Sequence, residues 1–470
     1  MYWICSCLFG IILTSCGLGD PHDCAFPDID HESGDRCGYV EVPLNYSAPE
    51  GPTTRIAYLV IPGSGEASRP DPVVFLQGGP GGSVIDYQAG YRQLRLDSRR
   101  DFVLYDQRGI GRSDVICPDL TNQLMRALAA DLSPGTEADF LAKAITECQS
   151  SLQNEGKSPN DFNTLASVQD LEQLRLHLGY DQWNIFGGSY GTRLGLSYAE
   201  AYPESCRSEI LVGEFPPQVR MYEHLLSNFE ASLKRVTRFC EKSPACRSRY
   251  PNLATTIRQN YRELEKTPWT FTYAGADFTL NASDYLLLIQ QMLYDRSTIA
   301  RLPSMIQVIS ERKAGQMTHF LGAMSQRLSA INLAVYWSVM TADEGGYPNQ
   351  EWLEKELAET EFRDGLSLFT ADPGIMRDWQ QGKSFSTNLQ ENRSEKPMLL
   401  ISGAFDPITP PAYAKKALPN LPNAQWAVFP DDGHTPLNDC FFKLAARFLE
   451  APDQNLDMEC VDETPMIRFR

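Results

Sequence analysis

The sequence predicts an α/β architecture, a mostly parallel sheet flanked by helices, with a large helical cap inserted late in the chain. Three observations carry the prediction. Short β-branched and aromatic runs bounded by turn residues recur through the first 215 residues; amphipathic helical patterns separate the later ones; and two more strand-like runs return after residue 388. Strands alternating with helices argue for parallel pairing, because each parallel connection needs a crossover segment and a helix supplies it.

The chain opens with "MYWICSCLFGIILTSCGLGD", an apolar run too short to span a bilayer as a mature helix. It reads as the hydrophobic region of a signal peptide. The tetrad Leu13-Thr14-Ser15-Cys16 is similar to a bacterial lipobox, in which cleavage precedes the cysteine and its thiol receives a lipid. No Lys or Arg precedes the run, so a plain secretory signal is the alternative. Residues 1–16 are assigned to this leader, which implies an exported protein with possible membrane anchoring through Cys16.

Residues 24–215 form the first part of the sheet domain. Its expected strands are "RIAYLVIP" (55–62), "PVVFLQGGPGG" (72–82), "DFVLYDQRG" (101–109), "QWNIFGG" (182–188) and "SEILVGE" (208–214). The stretch "TLASVQDLEQLRLHLGY" (164–180) repeats apolar residues at three-to-four spacing and stops at a glycine, as an amphipathic helix does. Residues 216–388 change pattern to long helical stretches such as "HLLSNFEASLKRVTRFCEK" and "ARLPSMIQVISERKAGQ", with few convincing strands. Such a block fits a cap over the C-terminal edge of the sheet, where open α/β sheets bind ligands. Residues 389–470 return to the sheet with "KPMLLISGAFDP", "AQWAVFPDDGH" and the helical "CFFKLAARFLE".

Forty-two Lys and Arg against 60 Asp and Glu give a net charge of −18, which disfavours nucleic acid and anionic membrane surfaces as partners and keeps the chain soluble. A monomer is expected. Of the 12 cysteines, Cys5 and Cys7 leave with the leader and Cys16 takes the lipid. In an exported protein the rest suggest disulfides between sequence neighbours: Cys24 with Cys37, Cys117 with Cys148, Cys240 with Cys246, and Cys440 with Cys460. Cys206 is left over and suits an apolar core. Cys240 and Cys246 resemble half a zinc site but lack a second pair or a nearby histidine, so no metal is expected. Three N-x-[ST] sequons, at Asn45, Asn281 and Asn392, matter only in a host that glycosylates.

The chemistry centres on "NIFGGSYGTRLGLSYAEAYP", where Gly187, Gly188 and Gly191 surround Ser189. This is a G-x-S-x-G pattern: small neighbours let the backbone turn sharply from strand to helix with the serine hydroxyl exposed. A serine nucleophile needs a base and a group to orient that base. Among histidines after Ser189, His224 and His319 lie in the helical block, which leaves His434 in "PDDGHTPL". Asp406 in "ISGAFDPITP" fits the acid; Asp431 or Asp432 could orient the histidine instead, and Glu214 is the reserve. Oxyanion donors are sought in the glycine loop "QGGPGGS", with Gly78 and Gly79 presenting a backbone N–H alongside that of Tyr190. The loop is a poor phosphate cradle, since no Lys-Ser/Thr follows it.

Together "QGGPGG", "YDQRGIGRS", "GGSYGTRL", "GAFDPITP" and "GHTPLNDC" resemble the serine aminopeptidases of the α/β-hydrolase fold, specifically the secreted proline iminopeptidase and tripeptidyl aminopeptidase group. The likeness runs from about Cys24 to Cys460 and includes "EVPLNYSAP". It implies Ser189 as nucleophile with Asp406 and His434 as partners, no metal or organic cofactor, and peptide substrates with a free N-terminus. The group carries "LDG" where this chain has Leu211-Val212-Gly213-Glu214, and a cysteine-containing acidic motif near "SVMTADEG", where this chain has Thr341, Asp343 and Glu344. An aminopeptidase must hold a substrate ammonium, and Glu214, Asp343 and Glu344 are the candidate carboxylates. Asp106, Arg108 and Arg112 read as turn-stabilising. The rival expectations are an esterase or small-molecule amidase on the same fold, and a non-catalytic envelope protein.

Overall fold

The computed structural model describes residues 24–65, 68–130, 134–344, 350–363, 379, 391–464 and 466–470. The leader and Cys16 lie outside the described residues. Eight strands form one sheet: β1 (Arg36–Pro43), β2 (Thr53–Ile61), β3 (Arg69–Leu76), β4 (Arg100–Tyr105), β5 (Trp183–Gly188), β6 (Cys206–Val212), and, after a two-stranded ribbon of β7 (Trp269–Tyr273) and β8 (Ala276–Leu280), β9 (Met398–Gly403) and β10 (Ala424–Phe429). Their order is β1-β2-β4-β3-β5-β6-β9-β10. β2 runs antiparallel to both β1 and β4, and every pair from β4 through β10 is parallel.

The parallel strands are apolar on both faces because helices cover both. Alternation decides which side each residue serves: Ile185, Leu211 and Leu400 join the core under the helices Thr164–Leu178 and Tyr190–Ala201. Their neighbours Phe186, Ile210 and Leu399 pack with Phe441, Leu444 and Phe448 of the helix Asp439–Glu450 on the other face. Each such fully buried side chain contributes about 1.5–3 kcal/mol relative to exposure.

The described residues between β6 and β9 are mainly helical, including Leu225–Lys242, Leu253–Lys266, Ala282–Met292, Thr318–Ser329 and Leu333–Glu344. The ribbon β7–β8 within it departs from the expectation of few strands: Thr270, Phe271 and Phe278 alternate between solvent and the cap core over only five residues per strand. β1 was likewise not among the expected strands. Its edge position leaves half its residues partly exposed, which blunts the apolar signal.

All four expected cysteine pairs are bonded, and Cys206 is free and buried at the start of β6. No helix among the described residues is long and apolar enough to cross a membrane.

Candidate active site

Ser189 occupies the turn between β5 and the helix Tyr190–Ala201 with φ 54° and ψ −121°, a conformation that costs a non-glycine residue on the order of 1–3 kcal/mol. Its neighbours show why the turn needs glycine. A Cβ on Gly191 would lie 2.0 Å from the Leu76 carbonyl oxygen, and one on Gly187 would lie 2.7 Å from that of Gly191. The Ser189 N–H donates to the Val212 carbonyl at 2.8 Å, which ties the turn to the end of β6. The side chain is half-buried.

Asp406 follows β9 and His434 follows β10, so both project from the same carboxyl edge of the sheet as Ser189. His434 Nδ1 lies 2.8 Å from Asp406 Oδ2. The other Asp406 oxygen accepts the backbone N–H groups of Ile408 and Thr409, each at 2.8 Å, and the Thr409 hydroxyl donates to Oδ2 at 2.7 Å while standing 3.0 Å from His434 Nδ1. Burial alone raises the Asp406 carboxyl, but the charge of and hydrogen bond from His434, with the two amides and the hydroxyl, outweigh it and hold the group below its ordinary value. Thr409 escaped the sequence reading; its signal is an acceptor Asp with a Thr three residues on, the spacing at which a hydroxyl and an N–H both reach back to one carboxylate.

The alternative acids are engaged elsewhere. Asp431 makes a bidentate pair with Arg296 at 2.6 and 3.0 Å, and Asp432 accepts from Asn438 at 3.2 Å. Glu214 accepts from the Ser402 hydroxyl at 2.7 Å, and burial pushes its carboxyl up to about 8.

Ser189, His434, Gly78, Gly79 and Gly82 open onto one cavity of about 550 Å³. Gly78 abuts the serine so closely that a Cβ there would sit 2.8 Å from that of Ser189. Tyr190 is not among the residues that line the cavity: its side chain is fully buried, and as the first helical residue its N–H has no carbonyl four positions earlier to serve. Asp106 supports the glycine loop from behind, accepting the N–H groups of Val84 at 2.6 Å and Arg112 at 2.8 Å, while Arg108 makes a bidentate buried pair with Asp170. The turn-stabilising reading of "YDQRGIGRS" fits these contacts.

The three carboxylates expected to hold a substrate ammonium do not line this cavity, a correction to the sequence reading. Glu214 is buried against Ser402 under the sheet edge. Asp343 accepts from the Thr164 hydroxyl at 2.6 Å and pairs with Arg193 at 3.5 Å; Glu344 accepts the N–H groups of Met221 and Tyr222 at 2.9 and 3.3 Å. An acidic cap motif in sequence gave no sign that its side chains turn inward to the protein's own donors. Among the described residues, the carboxylate that lines the cavity is Asp295, paired with Arg327 at 3.3 Å, with Gln290, Gln291 and Gln326 in the same wall. Sequence reasoning missed it because Asp295 also caps a short helix by accepting from Thr298, which makes it look like an ordinary turn residue.

A family model described as the alpha/beta hydrolase fold matches residues 71–439, a span that includes Ser189, Asp406 and His434. The chain belongs to the α/β-hydrolase fold family. Within it, the chain is 33% identical over 202 residues to a tripeptidyl aminopeptidase from Streptomyces lividans, covering 41% of this chain and 37% of that protein. It is 29% identical over 238 residues to the serine protease Hip1 of Mycobacterium tuberculosis, covering 47% and 44%. The chain thus spans less than half the length of these two relatives. A putative hydrolase, YuaR, of Escherichia coli is 24% identical over 461 residues, covering 90% and 87%. Among solved structures, a proline iminopeptidase from Mycobacterium smegmatis covers 88% of this α/β hydrolase and 99% of its own chain at a TM-score of 0.39 and 16% identity.

Proposed function

We propose that this α/β hydrolase is an exported serine exopeptidase that releases residues from the free N-termini of peptides through an acyl-enzyme. The observation that carries the reading is that His434, 2.8 Å from the buried Asp406, opens with Ser189 onto one cavity. His434 takes the proton from the Ser189 hydroxyl as its oxygen attacks the scissile carbonyl, and Asp406 holds the imidazole by its Nδ1 and balances the charge it gains. The N–H of Tyr190 and the Gly78–Gly79 loop receive the oxyanion; His434 then protonates the leaving amine, and a water releases the acyl group by the same route. Asp295 is the residue positioned to take the substrate ammonium by exchanging it for Arg327, a pair in which both side chains are about 30% exposed. Support for export comes from the leader-like N-terminus and four disulfides.

A second reading, an esterase or amidase, draws on the apolar wall beside the serine, formed by Phe75, Tyr91, Leu94, Phe186 and Leu437, which suits an acyl chain. One panel separates the two: Pro-, Ala- and Ala-Ala-Pro-p-nitroanilides, their N-acetylated forms, and p-nitrophenyl butyrate. Cleavage of free but not acetylated amines is the expected result. Ester cleavage alone, abolished in Ser189→Ala, would transfer the function to the second reading.

A further inference from the structure

The cap does more than roof the cavity. Its helix Leu333–Glu344 enters beside the glycine loop and ends beside the buried side chain of Tyr190. At the start, the Asn332 N–H donates to the Gly81 carbonyl at 2.9 Å, the Ser83 N–H donates to the Ala330 carbonyl at 3.3 Å, and Gly82 and Ile331 pair as an antiparallel bridge. A Cβ on Gly81 would lie 2.5 Å from the Asn332 carbonyl oxygen, at φ +93°. This junction is itself anchored: the Asn332 amide donates to the Ile116 carbonyl at 2.7 Å, and the Thr121 hydroxyl donates to Ile331 at 2.8 Å.

At the other end a relay of hydroxyls reaches the residue after the serine. The Tyr190 hydroxyl meets the Thr164 hydroxyl at 2.7 Å, and Thr164 donates onward to Asp343 at 2.6 Å. Arg193, one turn along the same helix as Tyr190, pairs with Asp343 and lies 3.7 Å over the Phe215 ring. Between the two ends the helix is fixed by its own packing, with Leu333, Ala334, Trp337 and Met340 fully buried.

We propose that the helix Leu333–Glu344 braces the oxyanion hole, holding the Gly78–Gly82 loop from its start and Tyr190 from its end through Asp343 and Thr164. The proposal rests on the oxyanion-donor reading above. Its physical basis is that a glycine loop has no side chains to fix its own position, whereas donors aimed at a developing oxyanion must be set to within a fraction of an ångström. Asp343, Thr164 and the Tyr190 hydroxyl are then positioning residues, since none of them reaches the cavity.

Thr164→Val and Tyr190→Phe remove the relay while keeping shape and every backbone donor. Steady-state kinetics on the best chromogenic substrate of the panel, inhibition by phenylboronic acid, and melting temperature are measured for each and for the double variant. The brace predicts that each single change lowers kcat about ten- to hundredfold with KM within about twofold, because donor placement is felt only when the oxyanion forms. The inhibition constant for the boronate, whose adduct is tetrahedral, rises in parallel; the double variant is no worse than the poorer single one; and Thr164→Ser restores turnover. Gly81→Ala, at the other end, gives the same kinetic signature. Unchanged kcat and boronate affinity in Thr164→Val and Tyr190→Phe, with only a lowered melting temperature, would overturn the brace while a dead Ser189→Ala kept the serine-hydrolase reading. Full turnover in Ser189→Ala would overturn that reading itself.

Discussion

Ser189, Asp406 and His434 divide the catalytic work of the proposed reaction, and each can be tested alone. Ser189→Ala is expected to lower kcat by about 10⁵–10⁶ with little change in melting temperature, because alanine keeps the Cβ and with it the same backbone strain at φ 54°. Asp295→Asn is expected to raise KM for free-amine p-nitroanilides about tenfold and leave p-nitrophenyl butyrate unaffected, the loss of one charge-assisted contact of ~1.5 kcal/mol; equal effects on both substrates would remove Asp295 from amine binding. Glu214 and Glu209 make a different prediction. Burial pushes both carboxyls up to about 8 in the folded chain from an ordinary value of 4.5. A folded-state value raised in this way gives stability that is complete below the unfolded value and is lost as pH climbs through the folded one. Melting temperature should therefore fall between about pH 5 and pH 8, and Glu209→Gln with Glu214→Gln should flatten that fall. The proposed nucleophile, acid and base stand out in the sequence because their order along the chain and their place after strands are one-dimensional information. The contacts of Asp295, Asp343 and Thr409 depend on which way a side chain turns, and the sequence holds no record of that.

Seven strands of the sheet were readable: the six in parallel pairs and the antiparallel β2 all carry runs of apolar residues bounded by turn residues. β1, β7 and β8 were not, being an edge strand and two five-residue strands whose partly exposed faces resemble loop. The helix Thr164–Leu178 was readable at both ends: the Asn163 side chain accepts from the Ala166 N–H at 2.9 Å, and Gly179 closes the helix at φ 74°. Asn163→Ala is expected to cost about 1 kcal/mol by chemical denaturation. A larger loss in kcat than in stability would add weight to the relay, since Thr164 is the first residue this cap sets in place.

The described residues are stapled in four places, and the staples differ in reach. Cys117–Cys148 spans 31 residues and Cys240–Cys246 spans 6. If a disulfide acts by restricting the unfolded chain, the first contributes about 3–4 kcal/mol and the second about 2 kcal/mol. Replacing each pair with alanines and comparing denaturation midpoints checks the ranking; a larger effect from the short loop would point to native-state packing instead. The topology places Ser189, Asp406 and His434 after β5, β9 and β10, so the long segment between β6 and β9 interrupts the proposed triad in sequence while all three residues stay at one edge of the sheet. The backbone bond from Asn332 to Gly81 gives that insertion a consequence for engineering. Exchanging caps between α/β hydrolases is an attractive way to change substrate range, because the cap looks like a detachable module. The proposed brace sets the exchange boundary: with residues 330–344 left to the host, a chimera is expected to keep its turnover, and with them replaced it is expected to lose turnover along with its old specificity.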